Sequence, residues 1–483
     1  MRVALVNPPP YQVVDQYDTP DFTRLGLAYL AAQLRRDAPG CTVEIVDAKF
    51  ERLSYAAVKA RLRAFRPDLV GLTAFTNEIN QAARVARDVK ELSRDVVTVI
   101  GGVHVSTLPA ETMLEFPELD VGVVGEGERT IVELVDALAR GDGLDGIAGL
   151  AFLRDGRPVV TAERERIEDQ DTIASPAWDL LPAAQRYLVM TQRGCPYRCT
   201  FCANPNGRVV RARSVESVVA EMREIADRFH PREILVCDEI FTIDGERTHR
   251  LLDAMIAADL GRRVRWWAQT HVNTVDRELF AKMKAAGCHM CGLGIETGDP
   301  EIMRRMRKGI SIDRVVAARE AAASVGLPVE SLMIIGHPHE TWETAMRTID
   351  FAVALNPDRP IFGVMVPYPG THVAELARRG EGGYRLISTD WNDYNKQIGH
   401  AMEFERLSRR QLELLQMWAY LKVFLANGRH ADLARFAWSY RSEGWAVVKK
   451  ILRGRGPEAF DTRRSPYFAN ARADKRRMPV ITA

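Results

Sequence analysis

Three cysteines stand together in the stretch Arg193-Gly194-Cys195-Pro196-Tyr197-Arg198-Cys199-Thr200-Phe201-Cys202, spaced Cys-x3-Cys-x2-Cys. Thiolates are the ligands of iron–sulfur clusters, and four of them normally hold a [4Fe–4S] cube. With three in one loop, one iron is left without a protein ligand and stays open to a small molecule. The competing chemistries fit less well. Structural zinc takes four closed ligands, usually as two separated pairs. Disulfides suit neither three crowded thiols nor a chain with seven cysteines in 483 residues.

The loop resembles the signature of the radical S-adenosylmethionine (SAM) enzymes, in which the amino and carboxylate groups of SAM chelate the open iron. Phe201 stands where that family has its aromatic residue before the last cysteine. The resemblance runs to about residue 425 and is to the subgroup with an N-terminal cobalamin-binding domain. It implies a [4Fe–4S] cluster on Cys195, Cys199 and Cys202 that cleaves SAM reductively to a 5′-deoxyadenosyl radical. It also implies an electron donor (flavodoxin, ferredoxin or a reductase) and a small-molecule substrate.

The elements that must position this loop alternate along the chain. Over residues 1–140, Val3–Val6, Val43–Val46, Leu69–Leu72, Val97–Ile100 and Val121–Val124 are brief and rich in β-branched residues, as buried parallel strands are. Between them Leu25–Leu34, Tyr55–Phe65 and Ile79–Leu92 carry apolar residues at helical spacing. This predicts an α/β fold that begins with a doubly wound, flavodoxin-like domain, whose ligands bind at the carboxyl ends of the strands.

Those ends hold Asn7-Pro8-Pro9-Pro10, Thr73-Ala74-Phe75-Thr76-Asn77, Gly101-Gly102-Val103-His104 and Gly125-Glu126-Gly127-Glu128. In this order the turns resemble the cobalamin domain of the subgroup. The resemblance implies that Asn7, Thr73, Gly101, Gly102, His104 and Gly127 line the cofactor, with His104 near its nucleotide tail. Thr76, Asn77 or Glu78 would lie beneath the cobalt. The Asp-x-His-x-x-Gly motif that supplies a lower-face histidine in other cobalamin enzymes is absent.

Residues 141–185 read as a bridge, with a hairpin over Gly146–Leu153 and Pro158–Thr161 and then an acidic, proline-containing linker. From 186 to 375 the strand–helix rhythm resumes. Tyr187–Thr191, Glu233–Cys237, Arg265–Thr270, Met290–Ile295, Val329–Ile335 and Ile361–Met365 predict an incomplete (β/α)6 barrel, with chemistry at the carboxyl-end loops. Family resemblance at those ends implies that Asp238 or Glu239 meets the SAM ammonium and that Glu296 reaches its ribose or methionyl part. Gln269 ends strand three and Tyr368 lies near the adenine. Asp238 or Glu239 could instead cap the next helix, and Glu296 could form a structural ion pair. His271 stands where many relatives carry arginine. Ile335-Gly336-His337-Pro338-His339-Glu340-Thr341 stands where they read Gly-x-Pro-Gly-Glu-Thr. His271, His337 and, in a segment that could close over the barrel, Tyr394 are the candidate catalytic groups. Cys288-His289-Met290-Cys291 resembles a metal or redox motif, but buried cysteine in a strand acts more simply as a small apolar residue.

Residues 376–483 form a mainly helical region and a tail. Leu407–Leu425 is amphipathic, Ala431–Ile451 adds helix, and from Arg453 the chain is basic and short of apolar residues. A net charge of +2, with 46% hydrophobic and 27% charged residues, gives no reason to expect affinity for nucleic acid or an anionic membrane. No signal-peptide pattern and no membrane-length apolar run is present, so a reducing cytoplasm is expected. The favoured reaction is cobalamin-dependent methylation of an unactivated carbon in a natural-product pathway. The alternatives are a radical dehydration, deoxygenation or rearrangement of a small polar substrate such as an aminoglycoside over a vestigial cobalamin domain, and a non-catalytic sensor.

Overall fold

A computed structural model describes residues 1–11, 20–396, 400–439, 441 and 465–468. Two parallel sheets organise it. In the first, β1 (Arg2–Asn7), β2 (Thr42–Asp47), β3 (Leu69–Thr73), β4 (Val97–Gly101) and β5 (Val121–Val123) run parallel in the order 2-1-3-4-5. This is the flavodoxin-like winding, with helices Leu25–Asp37, Tyr55–Phe65, Ile79–Leu92 and Gly127–Arg140 on its faces. Both faces of the strands are covered, so β1 is buried from Val3 onward. The expected hairpin forms as β6 (Leu150–Arg154) and β7 (Arg157–Val160). It extends the first sheet, β6 pairing antiparallel with β5, and is no free-standing bridge.

The second sheet contains β8 (Arg186–Val189), β11 (Glu233–Val236), β12 (Arg265–Thr270), β13 (Cys288–Glu296), β14 (Val329–Ile335) and β15 (Arg359–Val364), all parallel in sequence order. The short strands β9 (Gln192–Arg193) and β10 (Arg211–Ala212) pair across the base of the cysteine loop. Six strands leave the barrel open. A helix at Arg409–Ala426 packs on β15, its Gln416 amide donating to the Phe362 carbonyl at 2.6 Å. Tyr384–Leu386 and Met402–Phe404 form a small antiparallel pair.

At the bottom of this sheet, Cys288 and Cys291 lie three residues apart on one strand and are both buried. The register with β12 skips His289 between them, and both thiols are free. Both are core residues. The tail also departs from expectation: Phe468 is fully buried, packed with Trp391, Tyr394 and Tyr467. The Ala431–Ile451 helix is seen over His430–Ser439, and most of its remainder lies outside the described residues.

The two sheets are tied by buried charge. Arg211 donates to both oxygens of Glu126, at 2.9 and 2.7 Å, and Arg193 reaches Glu128 at 2.5 Å and Glu126 at 3.3 Å. The Arg211 and Glu126 side chains are 1% and 6% exposed, so neither charge has water as an alternative partner. Breaking a buried pair on one side leaves the other charge stranded, at a cost of about 3–5 kcal/mol. Glu126→Ala therefore lowers unfolding stability by about 3 kcal/mol in denaturant titration. A loss under about 0.5 kcal/mol, the level of a surface pair, would show that the network does not lock the sheets.

Candidate cluster and cofactor site

The cysteine loop leaves β8 and is fixed at its start by Asp238, at the end of β11. The Thr191 amide and hydroxyl donate to Asp238 at 2.7 and 2.6 Å, and the Gln192 amide donates at 3.2 Å. Burial pushes the Asp238 carboxyl up to about 6, against the pull of these donors. Glu239 holds the next turn, accepting from the Gly194 amide at 3.2 Å and from Asn206 at 2.6 Å. Neither residue caps the following helix, because Asp244 does so through the Arg247 amide. Asp238 thus spends both oxygens on the loop, while Glu239 stays half-buried beside Cys195.

Gly194 itself has φ +101°, and a Cβ there would lie 2.1 Å from the Val209 carbonyl oxygen. Only glycine fits. Beyond it the Cys195 amide donates to Gly207, Asn204 donates to the Cys195 carbonyl at 2.6 Å, and the Thr200 amide donates to Met306. Cys195 and Cys199 are half-buried, Cys202 is exposed, and no cysteine is in a disulfide. Burial pushes the Cys199 thiol up to about 12 and raises Cys195. Among the described residues no three Cys, His, Asp or Glu side chains converge on a single ion. Three free thiols on one loop, spaced Cys-x3-Cys-x2-Cys, fit three ligands of a [4Fe–4S] cluster.

Above the loop, β13 ends in a distortion. Its register with β14 shifts between Gly294 and Glu296, and Glu296 adopts φ +69°, a left-handed conformation that a non-glycine residue holds only at a cost. The turn sends its buried carboxylate to Lys308, at 2.5 Å, and the same ammonium donates to the Gly294 carbonyl at 2.6 Å. A Cβ on Gly294 would lie 2.4 Å from the Lys308 nitrogen and 2.7 Å from a Glu296 oxygen. The pair exists because residue 294 has no side chain. Lys308 escaped the sequence reading, and its field reaches Cys195, Cys199, His271 and His337.

His271 and His337 both come to this place. His271 stacks on Tyr197 of the cysteine loop, centroids 4.1 Å apart and planes at 13°. Its Nδ1 accepts from the Asn273 amide, and the backbone and ammonium of Lys308 lie beside its ring. His337 is fully buried, edge-on to Phe201 at 5.9 Å, with Nε2 3.4 Å from the Glu296 carbonyl and Nδ1 unpartnered. Burial holds both imidazoles neutral, at about 4. Glu340 accepts from the Gly336 and His337 amides and is pushed up to about 8 by burial. Gln269 and Tyr368 are half-buried at the ends of β12 and beyond β15.

Tyr394 is elsewhere. It is buried among Trp391 and Phe468, and Trp391 donates to Glu115 of the first domain and meets His104 edge-on at 4.8 Å. The segment expected at the barrel mouth is a strap on the first domain, and no exposed face of Tyr394 is left for a substrate.

In the first domain the strand-end turns divide. Asn7 donates to Asp47 at 2.7 Å. Glu78 is buried between Lys49, at 2.6 Å, and Arg24, at 2.9 Å. Burial opposes its ionisation, but the two cations overcome this and bring the carboxyl down to about 2. Glu78 and the buried Thr76 are thereby turned inward, leaving Asn77 and the exposed Phe75, which Arg24 covers at 4.3 Å from the ring centroid. Thr73, Gly101 and Gly102 form the adjacent rim, Gly102 pressed against the backbone of Ala74. His104 is buried with both ring nitrogens unpartnered and is held at about 3 by burial. An exposed aromatic over a paired cation and an orphaned imidazole fit a large flat cofactor with a polar tail. The turn that holds Gly127 is joined to this region by the Gly125 amide, which donates to the Ser106 hydroxyl at 3.0 Å, while the glutamates flanking Gly127 are committed to Arg193 and Arg211. Thr107, just past this rim, and Ala203 of the cysteine loop both lie beside Gly370, so the carboxyl ends of the two sheets meet.

Comparison with known proteins agrees with this geometry. Residues 189–352 match the radical SAM superfamily and residues 13–135 match the B12 binding domain. The chain belongs to the radical SAM enzymes that carry a B12-binding domain, whose cofactors are a [4Fe–4S] cluster, SAM and cobalamin. It is 34% identical to an uncharacterized methyltransferase of Pyrococcus horikoshii over 464 residues, 94% of this chain and 98% of that one. It is 30% identical to an anaerobic magnesium-protoporphyrin IX monomethyl ester cyclase of Rubrivivax gelatinosus, over 83% of this chain and 73% of that one. The fold is shared with the radical SAM methyltransferase TsrM of Kitasatospora setae, solved with cobalamin and a [4Fe–4S] cluster bound, at TM-score 0.69, 21% identity and 88% and 90% coverage.

Two outcomes follow. Replacing Cys195, Cys199 and Cys202 together by alanine yields protein without cluster absorbance after reconstitution. Retention of full iron and sulfide would move the cluster to other ligands. Gly294→Ala displaces Lys308 from Glu296 and weakens SAM binding about tenfold in a titration, the scale of one lost charge-assisted bond, with the cluster spectrum unchanged. Unaltered SAM affinity would show that the pair is structural only.

Proposed function

We propose that the chain methylates an unactivated carbon of a small-molecule substrate in a natural-product pathway. The observation that carries this reading is the meeting of the two strand-end rims at Thr107, Gly370 and Ala203, which supports a substrate held where the two domains come together. The similarity to a methyltransferase over nearly its whole length supports it. When bound, cobalamin carries the methyl group and SAM on the cluster supplies the hydrogen-abstracting radical.

Each residue then has a bounded task. Cys195, Cys199 and Cys202 hold the cluster; Asp238 and Glu239 hold the loop that presents it. Glu296 and Lys308 offer a paired anion and cation to the polar end of SAM, with Gln269, Phe201 and Tyr368 around it. A zwitterionic amino acid is matched by such a pair. His337, neutral and with a free buried Nδ1, and the neutral His271 are the groups able to take or give a proton at the substrate. Phe75, Asn77, Gly101, Gly102 and His104 receive cobalamin. Cys202, the exposed thiol, marks the side from which an electron donor such as a flavodoxin, a ferredoxin or a reductase delivers electrons. Seven unpaired cysteines suit a reducing, cytoplasmic setting. Nothing in the site calls for nucleic acid.

A second reading, radical rearrangement or dehydration without methyl transfer, draws on the similarity to a cyclase. Product counting separates the two. Methylation consumes one SAM for the methyl group and another for the radical, so S-adenosylhomocysteine and 5′-deoxyadenosine form in about equal amounts, with a product heavier by one methylene. Turnover without cobalamin that yields 5′-deoxyadenosine alone would overturn methylation.

A further inference from the structure

The Arg409–Ala426 helix is apolar on both faces. Leu412, Leu415, Ala419 and Val423 are buried against the barrel, while Leu414, Met417, Trp418, Leu421 and Leu425 stand exposed on the opposite side. Their spacing places them on one stripe along the helix. Trp438, 69% exposed, adds to it from the His430–Ser439 helix, whose Phe436 stacks on Tyr420 at 4.5 Å and which buries no side chain of its own. These six are nearly half of the exposed large hydrophobics among the described residues. Such concentration marks an interaction surface.

The charge of the chain is divided at the same place. Residues 406–483 hold 17 Lys or Arg against 6 Asp or Glu, a net +11, so the first 405 residues are net −9. The whole-chain balance of +2, from which no membrane affinity is expected, conceals this split.

We propose that the outer face of these C-terminal helices docks on an anionic lipid surface. Leucine and methionine enter the acyl boundary, tryptophan sits at headgroup level, and the basic C-terminal sequence is drawn to lipid phosphates. A second copy is a poorer occupant, because a symmetric contact would bring together two copies of a segment, residues 406–441, whose described residues hold 7 Lys or Arg against 2 Asp or Glu. Nucleic acid would answer the charge but leave the apolar stripe exposed. No helix among the described residues is long and apolar enough to cross a membrane, so the contact is peripheral.

The test uses the full chain with vesicles of phosphatidylcholine alone and of phosphatidylcholine mixed with phosphatidylglycerol. In flotation the protein rises with the mixed vesicles, stays behind with the neutral ones, and is released as salt increases. The triple substitution Met417→Glu, Trp418→Glu and Leu421→Glu weakens binding at least about tenfold, while circular dichroism and cluster absorbance hold. Absence of flotation at low salt overturns the proposal, as does binding that ignores lipid charge or the triple substitution. A dimer in light scattering that the triple substitution dissolves would assign the face to a second copy instead.

Discussion

The structure depends on four side chains that are almost out of water. Arg193 immediately precedes the glycine that opens the cysteine loop, and its guanidinium is held by Glu128 and Glu126 of the first domain. Arg211, on the strand that pairs back across the loop's base, is held by Glu126 again. Both ends of the cluster-bearing loop are therefore fastened to the turn that starts the Gly127–Arg140 helix. Helix N-termini favour carboxylates, so the glutamates are well placed to accept this load. The distance between the two cofactor rims is set by ion pairs buried between the sheets, with no hinge-like linker between them.

The same economy appears at the barrel's mouth. A left-handed glutamate, a lysine twelve residues later and a glycine that cannot be larger form one unit. Strain of this kind persists only where surrounding contacts over-determine it. Here Lys308 supplies two bonds, to the Glu296 carboxylate and to the Gly294 carbonyl, that hold the bulge in place. His271 and His337 stand around this unit, and the protein leaves Nδ1 of His337 unanswered.

Much of this was legible in the sequence because periodicity and motif spacing encode it. Short β-branched runs became the parallel strands with few changes of boundary, and the three cysteines needed only their spacing. The left-handed turn at His339, φ +64°, explains why relatives place glycine there. What the sequence hid is proximity across the fold. In the sequence Glu126 and Glu128 look like part of a cobalamin-domain turn; only the fold brings Arg193 and Arg211 beside them. Lys308 sits in an ordinary charged stretch, Met306-Arg307-Lys308-Gly309, and only the chain's return to the cysteine loop at Met306 brings it inside. Tyr394 misled for the opposite reason: aromatic and polar residues together suit a lid, but also a strap whose aromatic side chains find a core.

The uneven burial of the three thiols has a chemical cost. Cys195 and Cys199 are sheltered by the loop and by the chain around Met306, whereas Cys202 faces solvent. A sulfur that water reaches is one that dioxygen and peroxide reach, and oxidised sulfur no longer ligates iron. In a cluster held by Cys195, Cys199 and Cys202, damage would begin at the Cys202 corner and spread inward as that corner is lost. The protein's tolerance of air is thus set less by the buried chemistry than by how long one surface sulfur stays reduced.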